Sequence, residues 1–470
     1  MRNVVLICLD TVRKDYFDRF AERLRERADA SFDQCRAASG WSVPSHASMM
    51  TGKLPHQHGI HVYNRDFSGL RREDTFLADL PDHRAFGSSA NVYASDAFGF
   101  DLLFDDFTSV SPDRRFPDGI DAEKFGQECE ETGLARYLAF LKASLASDHP
   151  VQSLANGALV EFDRQFAELP VPKPLDDGAN IVAREAVKLV REHGDADPFF
   201  MFTNFMDAHG PLTHVRGYDS DLHDAPYSWT TGEYSTHEVN VSGKLEENRE
   251  HIEHTRGLYG AAIDYLDRKV CSFVDRVQAE TDRETTFVIT ADHGENLAFE
   301  ADGGLLAHKG VLTEGLLHVP LLVVNAPEGY DDSETGYFSH VDLGRLLVGL
   351  ARGETPDVFE ARIAAERIGS NMAADASEAE RREWDRMIRV VYDGADKYEW
   401  DSNGTRLRHR LDPDRPNWQE LAAEDVDVSD LDEAFFDVPL DEYKREAVTA
   451  STDHDVDQTT KARLSDLGYI

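Results

Sequence analysis

The strongest constraint in this sequence is a set of continuous apolar runs, most of them closed by residues with chemistry to offer. Val4-Val5-Leu6-Ile7-Cys8-Leu9 shows no polar alternation, so as a strand it must be covered on both faces. Similar runs recur at 90–94, 199–205, 286–289 and 320–324. Helical periodicity lies between them. Val182, Ala186, Leu189 and Val190 share a face before the run at 199. Leu258, Ile263, Leu266, Val270, Phe273, Val274 and Val277 do so before the run at 286. Alternating strands and helices predict an α/β sandwich with a central mostly parallel sheet. In such sheets ligands bind beyond the carboxyl ends of the strands. Asp10 follows the first run, Asp207 and His209 the third, and Asp292-His293 the fourth.

The alternation weakens over 100–175, which reads as an insertion walling the active site. From about Gly353 the texture changes. The stretches 387–392, 397–400 and 405–411 read as short strands, with a hairpin at Asn403-Gly404. This predicts a catalytic domain over 1–352 and a small C-terminal α+β subdomain over 353–470, ending in a helix. Residues 421–450 hold ten acids against two bases and read as a solvated acidic segment.

Charge narrows the function classes. The chain has 89 Asp and Glu against 49 Lys and Arg, a net of −40. That excludes nucleic acid and anionic membrane as expected partners, because both need a basic face. Only twelve of the bases are lysine. An acidic, lysine-poor surface is similar to that of halophilic proteins, whose self-repulsion is screened by concentrated salt. An acidic partner-binding surface is the other reading. Cys8, Cys35, Cys129 and Cys271 form no CxxC pair, which predicts a reducing, cytoplasmic location. No run approaches membrane-spanning length, and the run at 4–9 is too short for a signal peptide.

The segment Gly40-Trp41-Ser42-Val43-Pro44-Ser45-His46 leads into Ala47-Ser48-Met49-Met50-Thr51-Gly52. Pro44 suits the first position of a helix and Gly52 its end. Ser42 then stands at the helix N-terminus, where free N–H groups favour an oxyanion and a deprotonated nucleophile. The plain reading is a helix cap. Asp10, Asp292 and His293 offer hard oxygen and imidazole donors at strand ends. With Ser42 they can hold one divalent metal, which lowers a nucleophile's pKa. The imidazole suits Mn, Zn or Fe, and the oxygens also admit Ca or Mg. In Ala307-His308-Lys309-Gly310, Lys309 can neutralise a tetrahedral anion or be an ordinary surface base. His209, in Asp207-Ala208-His209-Gly210-Pro211, suits a leaving-group acid or a structural histidine.

These segments resemble the sulfatase family of the alkaline phosphatase superfamily. The family's nucleophile motif is matched by Ser42 to Gly52, with His46 at its arginine position. Asp10, Asp292-His293-Gly294-Glu295, His308-Lys309-Gly310 and His209-Gly210-Pro211 match further motifs, in order along the chain. The resemblance implies an alkaline-phosphatase-like fold and sulfate ester hydrolysis. It implies Asp10, Ser42, Asp292 and His293 as metal ligands, and Ser42, His46, His209, His308 and Lys309 as catalytic residues. It implies formylglycine at Ser42, made by a maturation enzyme, and a small-molecule or glycan sulfate ester as substrate. Three departures stand out: Thr11 instead of a second Asp, His293 instead of Asn, and His46 instead of Arg. They lean toward the superfamily's phosphonate monoester and phosphodiester hydrolases; as the second class, a phosphodiesterase, phosphonate hydrolase or phosphoglycerol transferase predicts an unmodified Ser42. A non-catalytic binding protein is the third class. His56, His58 and His61 are read as packing, Cys35 as core, and Arg13 as either an anion contact or a structural ion pair.

Overall fold

The computed structural model describes the chain except Glu168, Asp332 and residues 373–375, 452–455 and 468–470. Eight strands form the central sheet. They are β1 (Asn3–Leu9), β2 (Ala30–Arg36), β3 (Arg84–Ser89), β4 (Asp106–Ser109), β5 (Phe199–Phe205), β6 (Thr285–Thr290), β7 (Leu321–Val324) and β8 (Ser333–Ser339). Their spatial order is β4-β3-β5-β1-β6-β7-β2-β8. Only β7 runs against the rest, so the sheet is mostly parallel, as the apolar runs predict.

β1 sits in the middle, flanked in parallel by β5 and β6, and all seven of its residues are buried. Helices Ala179–His193 and Arg249–Glu280 pack together, and the first lies against β3 and β5. Helix Leu343–Arg352 touches β1 and β6. Burial of β1 on both faces is the physical content of its unbroken apolar sequence.

Five antiparallel strands form the smaller sheet: β9 (Arg362–Ile368), β10 (Met387–Asp393), β11 (Asp396–Asp401), β12 (Arg406–Leu411) and β13 (Gln419–Glu424). It docks on the large sheet through buried polar contacts. The Glu366 backbone N–H donates to Ala38 O at 2.9 Å, and Tyr392 Oη donates to Glu314 at 2.5 Å. Glu366 also accepts from the His56 backbone N–H and from Arg389. A buried carboxylate with this many donors has its desolvation offset, so it fixes how the two sheets meet.

Several local expectations change. The strand expected at 90–94 is instead β3 at Arg84–Ser89, and 90–94 is the turn that leaves it. Within 100–175, β4 extends the sheet edge, and helices Ala122–Glu128, Leu134–Ala146 and Pro150–Ala167 follow. The segment 421–450 is not merely solvated chain. It completes β13 and forms helices Ser429–Phe435 and Leu440–Thr449, whose Phe436, Leu440 and Ala447 pack into the smaller sheet's core. Its acids face outward while a few apolar positions anchor it. Helix Gln458–Asp466 lies near the end of the chain.

Candidate active site

The carboxyl ends of β1, β3, β5 and β6 converge. Asp10 follows β1 directly, and Ala291-Asp292-His293 follows β6. Ligand atoms of Asp10, Asp292 and His293 all lie within 4.8 Å of one another, and all three residues are fully buried. Asp10 Oδ2 accepts from Asn91 at 2.6 Å and from Asn204 at 3.3 Å, while Oδ1 has no partner. Asp292 Oδ1 accepts from the backbone N–H groups of His293 at 2.9 Å and Thr11 at 3.2 Å, while Oδ2 has no hydrogen-bond partner. His293 Nδ1 donates to Gly294 O at 2.7 Å, leaving Nε2 as a lone-pair donor. Each carboxylate thus spends one oxygen on the scaffold and leaves one unengaged, and His293 turns Nε2 toward Ser42 Oγ. Two orphaned buried carboxylate oxygens beside an imidazole nitrogen fit a divalent cation.

The electrostatics agree. Burial, with the Asp292 charge added, pushes the Asp10 carboxyl well above its usual range. Burial pushes Asp292 the same way, but the imidazoles of His293 and His46 and the Thr11 N–H hold it below its ordinary value. Buried carboxylates placed together are costly unless a cation compensates them.

Helix Ser42–Thr51 brings the nucleophile candidate. Gly52, at φ 67°, ends this helix in the left-handed region that glycine tolerates. Pro44 occupies the third helical position rather than the expected first, still within the turn that lacks backbone acceptors. Ser42 is the first helical residue, and no side chain caps this helix. The plain capping reading therefore fails. Ser42 Oγ lies 3.3 Å from His293 Nε2, and Ser45 Oγ donates to Asp292 O at 2.5 Å, locking the helix to the β6 end. His46 lies under this turn. Its Nδ1 donates to Ser42 O at 2.8 Å and its Nε2 faces Asn204 Nδ2 at 3.2 Å, between Phe100 and Phe202. Only 1 % exposed, it supports the Ser42 turn from below.

Two close backbone contacts shape this floor. A Cβ on Gly294 would run into the Gly315 carbonyl, and one on Gly315 into Asp302. Thr11 adopts φ 61°, a strained value for a β-branched residue. Its Oγ1 donates to Asp10 O at 2.7 Å, and Tyr259 Oη donates to Thr11 O at 2.5 Å. Position 11 thus aims its N–H at Asp292.

A cleft of about 350 Å³ opens beside this floor. Its walls include His209, Glu295, His308, Lys309 and Arg367. His293 and His308 ring centres are 4.8 Å apart, and those of His308 and His209 are 5.5 Å apart. Burial lowers the His308 pKa to about 3, helped by Arg367 and Lys309. It lowers His209 to about 4, helped by His308. Both rings are neutral near pH 7. His209 Nδ1 donates to Gly210 O, and His308 Nδ1 faces the Glu295 carboxylate at 3.3 Å. Lys309 makes no ion pair or hydrogen bond among the described residues, and burial lowers its pKa.

The cleft is not walled by 100–175 as expected. Its other walls come from Thr231 to His237, from Ser370 and Asn371, and from Ser465 to Leu467. His56, His58 and His61 stay out of the cation cluster; His56 bridges Glu366 and Asp437. Arg13 is a structural ion-pair residue, bound to Asp15 and Asp302. Asp207 accepts from the Asp177 backbone rather than holding His209.

Sequence reasoning missed three residues. Asn91 and Asn204 hold Asp10, and their signal was an amide inside otherwise apolar runs. Arg367, 3 % exposed on β9, donates to Gly369 O, His308 O and Ser370 Oγ, and its sequence carries no signal.

The sequence profile described as Sulfatase matches residues 2–353. An Escherichia coli (strain K12) protein described as the uncharacterized sulfatase YidJ is 23% identical over 193 residues, covering 38% of this chain and 37% of that relative. The match thus spans little more than a third of the relative's length. A phosphonate monoester hydrolase from Silicibacter pomeroyi has a similar structure, with a TM-score of 0.57 at 16% identity over 97% of this chain and 96% of that one. A putative sulfatase structure from Bacteroides thetaiotaomicron gives a TM-score of 0.56 at 14% identity over 98% and 96%. Likeness at such identities is a likeness of fold.

Proposed function

The chain belongs to the sulfatase family, and from that premise we propose that it hydrolyses sulfate monoesters at Ser42 or at formylglycine made from it. One observation carries this reading. Ser42 Oγ, two unpartnered carboxylate oxygens and His293 Nε2 meet at one buried point, with Lys309 at the adjoining cleft.

A divalent cation held by Asp10, Asp292, His293 and Ser42 supplies a lowered nucleophile pKa and charge neutralisation; Ca, Mn or Mg suits the oxygens, and the imidazole also admits Zn or Fe. The chain's own residues do the rest. The oxygen on residue 42 attacks sulfur in line as the bond from sulfur to the alcohol oxygen breaks. Lys309 and the N–H groups of the first helical turn hold the sulfuryl oxygens. The proton that Ser42 gives up is the one the leaving alcohol receives. Neutral His308 or His209, whose rings line the cleft, suits this relay. His46 holds the Ser42 carbonyl and so positions the nucleophile. With formylglycine, the second hydroxyl on the same carbon expels sulfate. With serine, water must do so.

A second reading is hydrolysis of phosphonate monoesters or phosphodiesters by unmodified Ser42, or phosphoglycerol transfer. The 3.3 Å contact to His293 favours it, since an imidazole beside a hydroxyl suits an alkoxide nucleophile. The partners we infer are a small-molecule or glycan sulfate ester and, for the formylglycine form, a maturation enzyme. The free cysteines fit a reducing, cytoplasmic setting, and the charge of −40 fits a saline one. Among the described residues no helix is long and apolar enough to cross a membrane.

The test compares kcat/KM for an aryl sulfate and an aryl phosphonate monoester, with Ser42→Ala as control and mass analysis of the peptide carrying residue 42. A preference for sulfate together with loss of two hydrogens at residue 42 supports the sulfatase reading. A preference for phosphonate with intact serine replaces it with the second. Activity that survives Ser42→Ala refutes both.

A further inference from the structure

Helix Leu134–Ala146 is apolar on opposite faces. Its inner face packs Phe140 against Phe125, and Ser144 is buried. Its outer face carries Leu134 at 75 % exposure, Leu138 at 58 %, Leu141 at 42 % and Leu145 at 62 %. At 100° per residue these four fall within an arc of about 60°. A helix apolar on two opposite faces has one more apolar face than its own chain covers.

The spacing says what covers it. Leu134, Leu138, Leu141 and Leu145 are separated by four, three and four positions, the seam spacing of a two-helix coil. The order 4-3-4 reads the same in both directions, and all four residues are leucine. A seam that is its own mirror along the chain is complementary to an antiparallel copy of itself. Leu138 then meets Leu141 of the second copy, and Leu134 meets Leu145.

Charge points the same way. The chain has 89 acids in 470 residues, yet this helix has none, and carries Arg136 and Lys142. Two copies with a net charge of −40 repel over most of their surface. A face without carboxylates is where they can approach. The flanking positions beside the seam are Ala135, Tyr137, Lys142 and Ser144, none of them acidic, and the acid at their edge, Glu161, accepts from Tyr137 Oη at 3.2 Å. An anionic membrane fits less well, because the chain's charge opposes it and the helix lacks the polar face of an interfacial helix. Beside the seam lies a groove of about 680 Å³ lined by Phe125, Tyr137, Phe140, Leu141 and Leu154, with Glu123, Arg136 and Glu161 also on its walls.

We propose that helix Leu134–Ala146 is a two-fold interface, pairing antiparallel with the same helix of a second copy of this chain. The interface is isologous, so it closes at a dimer. None of its residues lines the cleft, so the pairing stands independently of the chemistry proposed above.

Sedimentation velocity on the full chain, at dilute and molar KCl and up to about 100 µM, tests this. The wild type is expected at twice the chain mass. The double variant Leu138→Glu with Leu141→Glu is expected as a folded monomer whose melting temperature no longer depends on protein concentration, because these side chains are exposed in a single copy. Leu134→Glu and Leu145→Lys, each weakened alone, are expected to form a heterodimer when mixed, which only the antiparallel order allows. A wild type that stays monomeric at both salts overturns the proposal. So does a dimer untouched by the double variant, or a monomer that binds anionic vesicles through this helix.

Discussion

The floor and the wall of the active site are built differently. The floor is Asp10, Asp292, His293 and Ser42, all fully buried, the first three just beyond a strand end and Ser42 at the head of its helix. The wall is His209, His308, Lys309 and Arg367, borne by loops and by a strand of the other sheet. In the floor nearly every polar atom is spoken for except those that face one point. In the wall Lys309 has no partner among the described residues, and burial lowers the Arg367 pKa to about 10. The difference teaches a division of labour. On the proposed function, the floor would fix the reaction, because ligand geometry tolerates little error. The wall would select the ester, because cations in a cleft respond to whatever anion enters.

Four changes test that division, from the largest effect down. Asp292→Asn removes an unpartnered oxygen from the floor. It is expected to abolish stoichiometric metal binding and to cut kcat/KM by roughly 10³-fold or more, read by metal analysis and steady-state kinetics. If metal content and activity persist, the floor is not a cation site. Lys309→Ala removes the wall's anion contact and is expected to cost roughly 10²-fold in kcat with metal content intact. A loss of metal there would merge wall and floor into one unit.

Asn91→Ala touches no reacting atom but removes the shorter of the two hydrogen bonds to Asp10 Oδ2. The expected result is about 10- to 100-fold weaker metal affinity, with activity restored by excess metal. Failure of excess metal to rescue would make Asn91 merely structural. Arg367→Gln is the mildest. It should raise KM about tenfold with little change in kcat, as expected for a contact made equally before and during reaction. Equal losses in kcat and kcat/KM would instead mean that Arg367 acts by fixing the His308 carbonyl.

How far these residues could be read in advance follows the same boundary. Asp10, Ser42, Asp292 and His293 were legible because each lies beside a fully apolar strand or a glycine-ended helix. Lys309 and His209 were legible only as members of an ordered motif set. Asn91 was hidden because the strand expected at 90–94 ends at Ser89, so the polar residue lay in the turn and not the strand. Arg367 was hidden because it depends on how the smaller sheet docks, through Glu366 and Glu314, onto the larger one.

By itself the sequence determined the parallel sheet, its central strand and the residues at its carboxyl ends. Those follow from apolar periodicity, which acts over a few neighbouring residues. Only the tertiary structure decided which carboxylate oxygens stay unpartnered, that Ser42 turns toward His293 rather than capping its helix, and which segments enclose the cleft. Those depend on contacts between positions hundreds of residues apart, where a shift of one strand or loop exchanges one hydrogen-bond partner for another.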